Sequence, residues 1–225
     1  MHKSNGKRVM AKAINAKNTA PKVILLTGGI ASGKTFASDY LREKGAYVID
    51  TDVVARMMTD PENPKGREAL TEIANRFGSG YITAEGMLDR RKMRELIFTN
   101  PEAKTDLESI LHGRIWSEVK EEIANADDAP YIVLVVPVIY EGSPYLRLVS
   151  EVLIIEVPYQ LQLQRVMARD NIDEALAQKI IEAQISRLDR RKLGNDIIIS
   201  ENRAFVRRQL DKLHNRYSAH ENRHA

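Results

Sequence analysis

The sequence predicts an α/β fold in which an open, doubly wound, five-stranded parallel sheet carries helices on both faces. Five short apolar runs are continuous rather than alternating, as in strands that are buried on both faces, and helical patterns separate them. The runs lie at residues 23–26, 47–49, 131–136, 152–157 and 197–199. With 225 residues, 43% of them hydrophobic, the chain is large enough for one substantial core.

The first apolar run leads into a phosphate-binding loop. A strand over 23–27 precedes Gly28-x-x-x-x-Gly33-Lys34-Thr35, and a helical pattern follows over 35–44. Glycines let the backbone N–H groups of such a P-loop point at phosphate oxygens, and the helix N-terminus behind them adds partial positive charge. We expect Lys34 to reach the β- and γ-phosphates and Thr35 to offer its hydroxyl to Mg²⁺. The predicted nucleotide-binding residues are Gly29, Ile30, Ala31, Ser32, Gly33, Lys34, Thr35 and Phe36.

The second run ends in a pair of carboxylates. Asp50 and Asp52 follow the strand at its carboxyl end, where ligands bind in α/β sheets, and the strand period of two lets both face the same way. We expect Asp52 to accept the proton of an acceptor hydroxyl, and either carboxylate to hold Mg²⁺ through water. The alternative is that one of the two only caps the helix that begins near Val53.

Two long helical stretches interrupt the strand pattern. Residues 51–127 hold helical patterns at 53–58, 66–77, 89–98 and 102–126, too much for one crossover helix, and predict an inserted acceptor-binding lobe. Residues 158–192 predict two arginine-rich helices that act as a lid. In a lid, Arg165, Arg169 and Arg187 would approach the transferring phosphoryl group and exclude water; alternatively they lie on a solvated helix face. A last helix over 203–217 is expected to pack on the sheet.

Missing motifs separate the classes of nucleotide-binding protein. The chain has no Asn-Lys-x-Asp or Asp-x-x-Gly motif, so a GTPase is not expected. The third run ends in Pro137 with no acidic residue at its tip, which argues against motor and transporter ATPases. An inserted lobe together with an arginine-rich lid is typical of a small-molecule kinase.

The net charge of +3 originates in the first residues of the chain. Residues 1–22 contain no acidic residue, and their basic residues are Lys3, Lys7, Arg8, Lys12, Lys17 and Lys22. We therefore expect a disordered tail over 1–21, a slightly acidic kinase core over 22–225, and no nucleic-acid partner. No apolar run has the length of a membrane span, and the chain has no cysteine, which suits a reducing compartment. We expect a cytoplasmic protein with no membrane contact and no obligatory protein partner.

Further blocks between Lys22 and Tyr217 resemble the dephospho-coenzyme A kinase family. They are Leu26-Thr27-Gly28-Gly29-Ile30-Ala31-Ser32-Gly33-Lys34-Thr35, Ile49-Asp50-Thr51-Asp52 with Arg56, Gly86-Met87-Leu88-Asp89-Arg90-Arg91, Val135-Val136-Pro137 with Glu141, Gln162-x-x-Arg165-x-x-x-Arg169-Asp170 and Gln184-x-x-Arg187. The joint match is specific, because unrelated P-loop kinases share the loop but not the later blocks. Ala31 stands where the family commonly has glycine, and residues 194–202 depart from the family's pattern at several positions.

The resemblance implies a P-loop kinase fold and a defined reaction. A phosphoryl group would pass from ATP to the ribose 3′-hydroxyl of dephospho-coenzyme A, giving ADP and coenzyme A in the final step of coenzyme A biosynthesis. The implied catalytic residues are Asp52, Lys34 and Arg169; Asp52, Arg56, Arg90 and Glu141 would bind the acceptor; and Mg²⁺ would enter with ATP at Thr35. A kinase for another small acceptor, such as a nucleoside monophosphate, is the alternative enzyme, and an ATP-binding switch is the alternative without catalysis.

Overall fold

The computed structural model describes residues 21–219, so the tail predicted over 1–21 lies outside the described residues except for its last position. A five-stranded sheet, parallel throughout, has the order β2-β3-β1-β4-β5. Its strands are β1 (Val23–Gly28), β2 (Tyr47–Asp50), β3 (Ile132–Val135), β4 (Glu151–Glu156) and β5 (Asp196–Ile199). This confirms the parallel sheet that the continuous apolar runs predict.

Helices flank the sheet and fill the long intervals between strands. They are α1 (Lys34–Glu43), α2 (Thr51–Met57), α3 (Pro64–Phe77), α4 (Arg90–Thr99), α5 (Pro101–Asn125), α6 (Tyr159–Asp170), α7 (Glu174–Glu182), α8 (Arg187–Lys192) and α9 (Arg203–Ser218). Short 3₁₀ turns lie at Ser79–Tyr81 and Pro144–Arg147. Among residues 21–219, no helix combines the length and the apolar composition needed to cross a membrane.

The two faces of β1 belong to two separate cores, because successive strand residues point to opposite sides of the sheet. Leu25 packs on one face with Val54 of α2 and Val119 of α5. Leu26 packs on the other face with Leu41 of α1. Every residue of β1 is buried, which fixes the strand that carries the P-loop at the centre of the sheet.

The inserted lobe has its own apolar core, which α5 connects to the sheet. Residues of α3, α4 and α5, including Leu70, Met93 and Ile110, form this smaller cluster. Further along α5, Val119 belongs to the main core, and Leu111 packs against both clusters. The 25-residue helix is therefore one rigid element shared by lobe and sheet.

The arginine-rich segment consists of three helices, so the prediction of two helices over 158–192 is wrong. Helix α6 ends at Asn171, which adopts the left-handed conformation with φ 51°, and α7 then begins with Asp173 as its N-cap. A further break follows α7, and the side chain of Ser186 caps α8. The Ser186 side chain accepts from the backbone N–H of Asp189 and so begins a separate short helix after α7.

Candidate active site

The P-loop ends on a helix N-terminus that no side chain caps. Gly33 has φ 102° and stands at the N-cap of α1, which has no side-chain capping bond and no acidic residue in its first turn. The first N–H groups of a helix have no intrahelical acceptor, so those of α1 point outward as donors. In contrast, Asp50, Asn63 and Asp89 cap α2, α3 and α4 with their side chains. The start of α1 is thus built to hold an anion.

The loop backbone leaves no space for side chains at two of its glycines. A Cβ on Gly28 would stand 2.2 Å from the carbonyl oxygen of Ile155 on β4. A Cβ on Gly29 would stand 2.8 Å from Nε2 of Gln162 and 3.2 Å from Nη2 of Arg190. Ala31 adopts the left-handed conformation with φ 56°, which explains why glycine suits this position.

Lys34 is held inside the loop. Its Nζ donates to the carbonyl oxygens of Gly28 and Gly29 at 2.8 and 3.0 Å. Burial, followed by the positive charge of Arg190, lowers the pKa of Lys34 to about 8, while the charge of Asp52 opposes the shift. The ammonium and the Asp52 carboxylate therefore lie within each other's field, as the sequence predicts.

The two carboxylates after β2 have different roles. The Asp50 side chain accepts from the backbone N–H of Asp52 at 2.9 Å and is the N-cap of α2. The capping alternative therefore describes Asp50, not Asp52. Desolvation raises the pKa of Asp52 and the charge of Asp50 adds to the rise, whereas Arg56 and Lys34 oppose it. Asp52 is thus left beside Lys34 and Arg56 with no capping role.

The other predicted acceptor residues lie at the boundary between lobe and sheet. Arg90, at the start of α4, donates from Nη2 to Oγ1 of Thr59 at 2.8 Å, which ties the lobe to the segment after α2. Glu141 lies in the exposed loop after β3. The pKa of Lys192 is raised chiefly by its bond to Asp189 and slightly by the charge of Glu141.

The three predicted lid arginines lie in different places: one contacts the P-loop, one lies at the surface, and one lies at the carboxyl end of the sheet. Arg165 donates to the carbonyl oxygens of Ala31 and Ser200 at 3.4 and 3.2 Å. Arg169 pairs with the adjacent Asp170 through two bonds of 2.8 Å, and its charge contributes to the low pKa of Lys34. Arg187 lies against the end of β4, where its Nη2 donates to the carbonyl oxygen of Val157 at 2.7 Å.

Four residues of this site do not appear among those predicted to act in it. Glu156 is buried at the end of β4 and pairs with Arg187 and Arg190 at 3.1 and 2.8 Å. Gln162 donates to the Ile30 carbonyl oxygen and Gln184 accepts from the Ile30 N–H, both at 2.9 Å. These four are Glu156, Gln162, Gln184 and Arg190. An acidic residue inside an apolar run was the available signal for Glu156, because a buried carboxylate requires cationic partners.

Comparison with known proteins agrees with this geometry. Residues 22–205 match the dephospho-CoA kinase family. A dephospho-CoA kinase of Aromatoleum aromaticum is 40% identical over 195 residues, covering 86% of this chain and 93% of that protein. A dephospho-CoA kinase of Acinetobacter baylyi is 37% identical over 199 residues, with 88% and 99% covered.

Solved structures share the fold. The protein TT1252 of Thermus thermophilus superposes with a TM-score of 0.72 at 26% identity, covering 87% of this chain and 96% of that one. The dephospho-CoA kinase of Campylobacter jejuni gives a TM-score of 0.61 at 24% identity, with 88% and 98% covered. Because the family match extends over both the sheet and the inserted lobe, the chain belongs to the dephospho-CoA kinase family.

Proposed function

We propose that this chain transfers the γ-phosphoryl group of ATP to the ribose 3′-hydroxyl of dephospho-coenzyme A, giving ADP and coenzyme A. This is the final step of coenzyme A biosynthesis. The observation that carries the proposal is the uncapped start of α1, with Lys34 and Asp52 beside it near enough for each charge to affect the pKa of the other. Membership of the dephospho-CoA kinase family supports this acceptor over a nucleoside monophosphate.

Asp52 acts on the acceptor hydroxyl. As the ribose oxygen bonds to the γ-phosphorus, its proton passes to the Asp52 carboxylate, and the bond from the γ-phosphorus to the β–γ bridging oxygen breaks with its electron pair leaving on ADP. A raised pKa makes Asp52 a better proton acceptor than an ordinary aspartate. Arg56 stays near enough to steady the carboxylate before the proton arrives.

Lys34 and the loop stabilise the charge on the phosphates. On binding ATP, the ammonium exchanges the carbonyl oxygens of Gly28 and Gly29 for β- and γ-phosphate oxygens. The N–H groups at the start of α1 hold the same anion without reorganisation. Phosphoryl transfer depends on positioning and electrostatics more than on one strong base, so several weak contributions combine.

Mg²⁺ fits the donors of this site. The Thr35 hydroxyl is a hard oxygen ligand of the kind that Mg²⁺ prefers, Asp52 could hold the ion through water, and when bound with ATP the ion would neutralise phosphate charge. Within residues 21–219 there is no cluster of three or more acidic or histidine side chains that forms a metal cage. Thr35 stands in the first turn of α1 with an exposed side chain, where it can serve as the protein ligand.

The remaining predicted residues would bind the acceptor and enclose the nucleotide. Arg90 and Glu141 would hold the acceptor from the lobe and the β3 loop, and Arg165 and Arg169 would close over the nucleotide to exclude water. Cytoplasmic residence belongs to the same proposal, because a sequence without cysteine suits a reducing compartment.

A coupled ADP-release assay tests the proposal. The full chain is given ATP, Mg²⁺ and one acceptor at a time: dephospho-coenzyme A, each nucleoside monophosphate, or none. We expect ADP release only with dephospho-coenzyme A, and mass spectrometry should identify coenzyme A as the product. Release with a nucleoside monophosphate, or an equal rate without acceptor, would contradict it.

A further inference from the structure

A buried carboxylate at the edge of the sheet holds two arginines beside the P-loop. Glu156 is the last residue of β4, and only 1% of its surface is exposed to solvent. Its Oε1 accepts from Nε of Arg190 at 2.8 Å, and its Oε2 pairs with Nε of Arg187 at 3.1 Å. The preceding residue on β4 pairs with Gly28 of the loop. Glu156 and its two arginines therefore lie at the same carboxyl end of the sheet as the nucleotide site.

The local charges do not cancel. One carboxylate faces two guanidinium groups, and Arg190 is only 5% exposed. Lys34 lies close enough for Arg190 to lower its pKa, after the larger effect of burial, but Asp52 and Asp50 oppose that shift. The excess charge is therefore that of the two arginines over Glu156. Burying unpaired charge is costly, so such a cluster is most stable when an anion enters it. The excess positive charge predicts a ligand of opposite sign at this point.

The guanidinium of Arg190 points into the loop. Its Nε is taken by Glu156 and its Nη1 donates to the carbonyl oxygen of Ile185 at 3.3 Å. Its Nη2 has no hydrogen-bond partner within residues 21–219 and lies 3.2 Å from where a Cβ on Gly29 would stand. By comparison, Arg169 directs its Nε and Nη2 to Asp170, and its side chain is half exposed. Among the described residues, Arg190 thus has its Nη2 donor available beside the phosphate-binding backbone at Gly29.

The loop itself is fixed relative to Arg190. Gln162 and Gln184 engage the carbonyl oxygen and the N–H of Ile30, both at 2.9 Å, so neither group of that residue is left to rotate. Gln162 also accepts weakly from Arg187 at 3.4 Å. The distance from the Arg190 guanidinium to the loop is therefore set by contacts on both sides.

We propose that Arg190 is a catalytic residue that donates from Nη2 to the phosphoryl group being transferred, and that Glu156 is the positioning residue that aims it. This rests on the proposed kinase function. The contact makes and breaks no covalent bond: the guanidinium keeps its proton and neutralises charge on the phosphoryl oxygens as they separate from ADP. A planar fork held by a buried carboxylate is preorganised for this role.

The first test is Arg190→Lys, which keeps the charge but loses the fork. The matched control is Arg216→Lys, because Arg216 also pairs with carboxylates, Glu151 and Asp196, at the opposite edge of the sheet. Circular dichroism first checks that both variants are folded. We then expect kcat of Arg190→Lys to fall about 10²-fold and kcat of the control to stay unchanged.

Nucleotide binding separates this claim from the proposed function. By calorimetry without acceptor, Arg190→Lys should bind ATP about tenfold more weakly than the parent and ADP equally well, because only ATP carries the group that Arg190 contacts. A folded variant with the parent's preference for ATP over ADP would overturn the inference. If the parent fails to phosphorylate dephospho-coenzyme A, the proposed function fails, and this binding comparison still decides the role of Arg190.

A double variant excludes a purely structural role. Glu156→Gln combined with Arg190→Met removes both charges of the buried pair, and Arg187, whose side chain is 33% exposed, keeps its bond to the carbonyl oxygen of Val157, so no fully buried ion is left unpaired. If Arg190 served only to neutralise Glu156, this variant would recover the parent's kcat, and that recovery would overturn the inference. We expect a folded protein whose kcat remains about 10²-fold low.

Discussion

At the scale of single residues, the site is governed by what burial does to a few charges. Lys34 has a pKa lowered to about 8 because it is enclosed by the loop, with Arg190 adding to the effect. Asp52 has a raised pKa because it is partly desolvated beside Asp50. The sequence predicts the chemistry of Lys34 and Asp52 from motif and strand position. It leaves open which aspartate caps α2, because both stand within reach of the helix start and only coordinates separate them.

The lowered pKa of Lys34 predicts a pH dependence of ATP binding. The free protein loses the Lys34 proton as the pH rises through about 8, and only the ammonium attracts phosphate. ATP affinity should therefore weaken from about pH 7 upward, fall to about half its full value near pH 8, and then approach about a tenfold loss per pH unit for one proton. Calorimetric titration from pH 7 to 9.5 measures it.

Lys34→Met is the control, because it removes the titrating group and should bind ATP weakly at every pH. Parent affinity that stays level up to pH 9.5 would show that the Lys34 pKa is not lowered. A parallel decline in Lys34→Met would assign the dependence to another group.

At the scale of elements, the P-loop and the segment from α6 to α8 form one unit. Ile30 and Ala31 pack against the small apolar core of α6 and α7. Gln162 and Gln184 bind the Ile30 backbone from 132 and 154 residues away in sequence. Contacts between residues so far apart leave no local pattern, which is why the loop could be predicted and the glutamines' role could not. Glu156 did leave a local signal, an acidic residue inside an apolar run, but its partner Arg190 lies 34 residues away in sequence.

The left-handed backbone at Ala31 predicts that Ala31→Gly stabilises the protein. Relief of the left-handed conformation is worth about 1–2 kcal/mol, and the greater freedom of glycine in the unfolded chain offsets about 0.4–1 kcal/mol. The free energy of unfolding should rise by up to about 1.6 kcal/mol, the difference between these two effects. Urea denaturation measures the difference.

Ala74→Gly, in the interior of α3, is the matched control and should lose about 1 kcal/mol, as glycine does within a helix. A loss at Ala31 as large as that at Ala74 would mean that the loop does not require the left-handed conformation.

At the scale of the whole molecule, the chain joins three units, the sheet, the inserted lobe and the arginine-rich segment, around the carboxyl end of the strands. Helix α5 makes the lobe rigid with the sheet, since it contributes Ile110 to one core and Val119 to the other. The sheet, the inserted lobe and the arginine-rich segment follow from the spacing of apolar runs. The strand order β2-β3-β1-β4-β5 does not follow from that spacing, because it depends on how the connections between strands cross the two faces of the sheet. That order brings Asp52, Lys34 and Glu156 to one edge.

The central claim is that this edge assembles a kinase in which Asp52 receives the acceptor proton. Asp52→Asn tests it most directly, because the amide keeps the shape of the side chain and Asp50, not Asp52, caps α2. Its kcat with dephospho-coenzyme A, its ATP affinity and its melting temperature are measured together. We predict an unchanged melting temperature, ATP affinity within about twofold and kcat reduced by about 10²-fold or more. A folded Asp52→Asn protein with the parent's kcat would contradict the account.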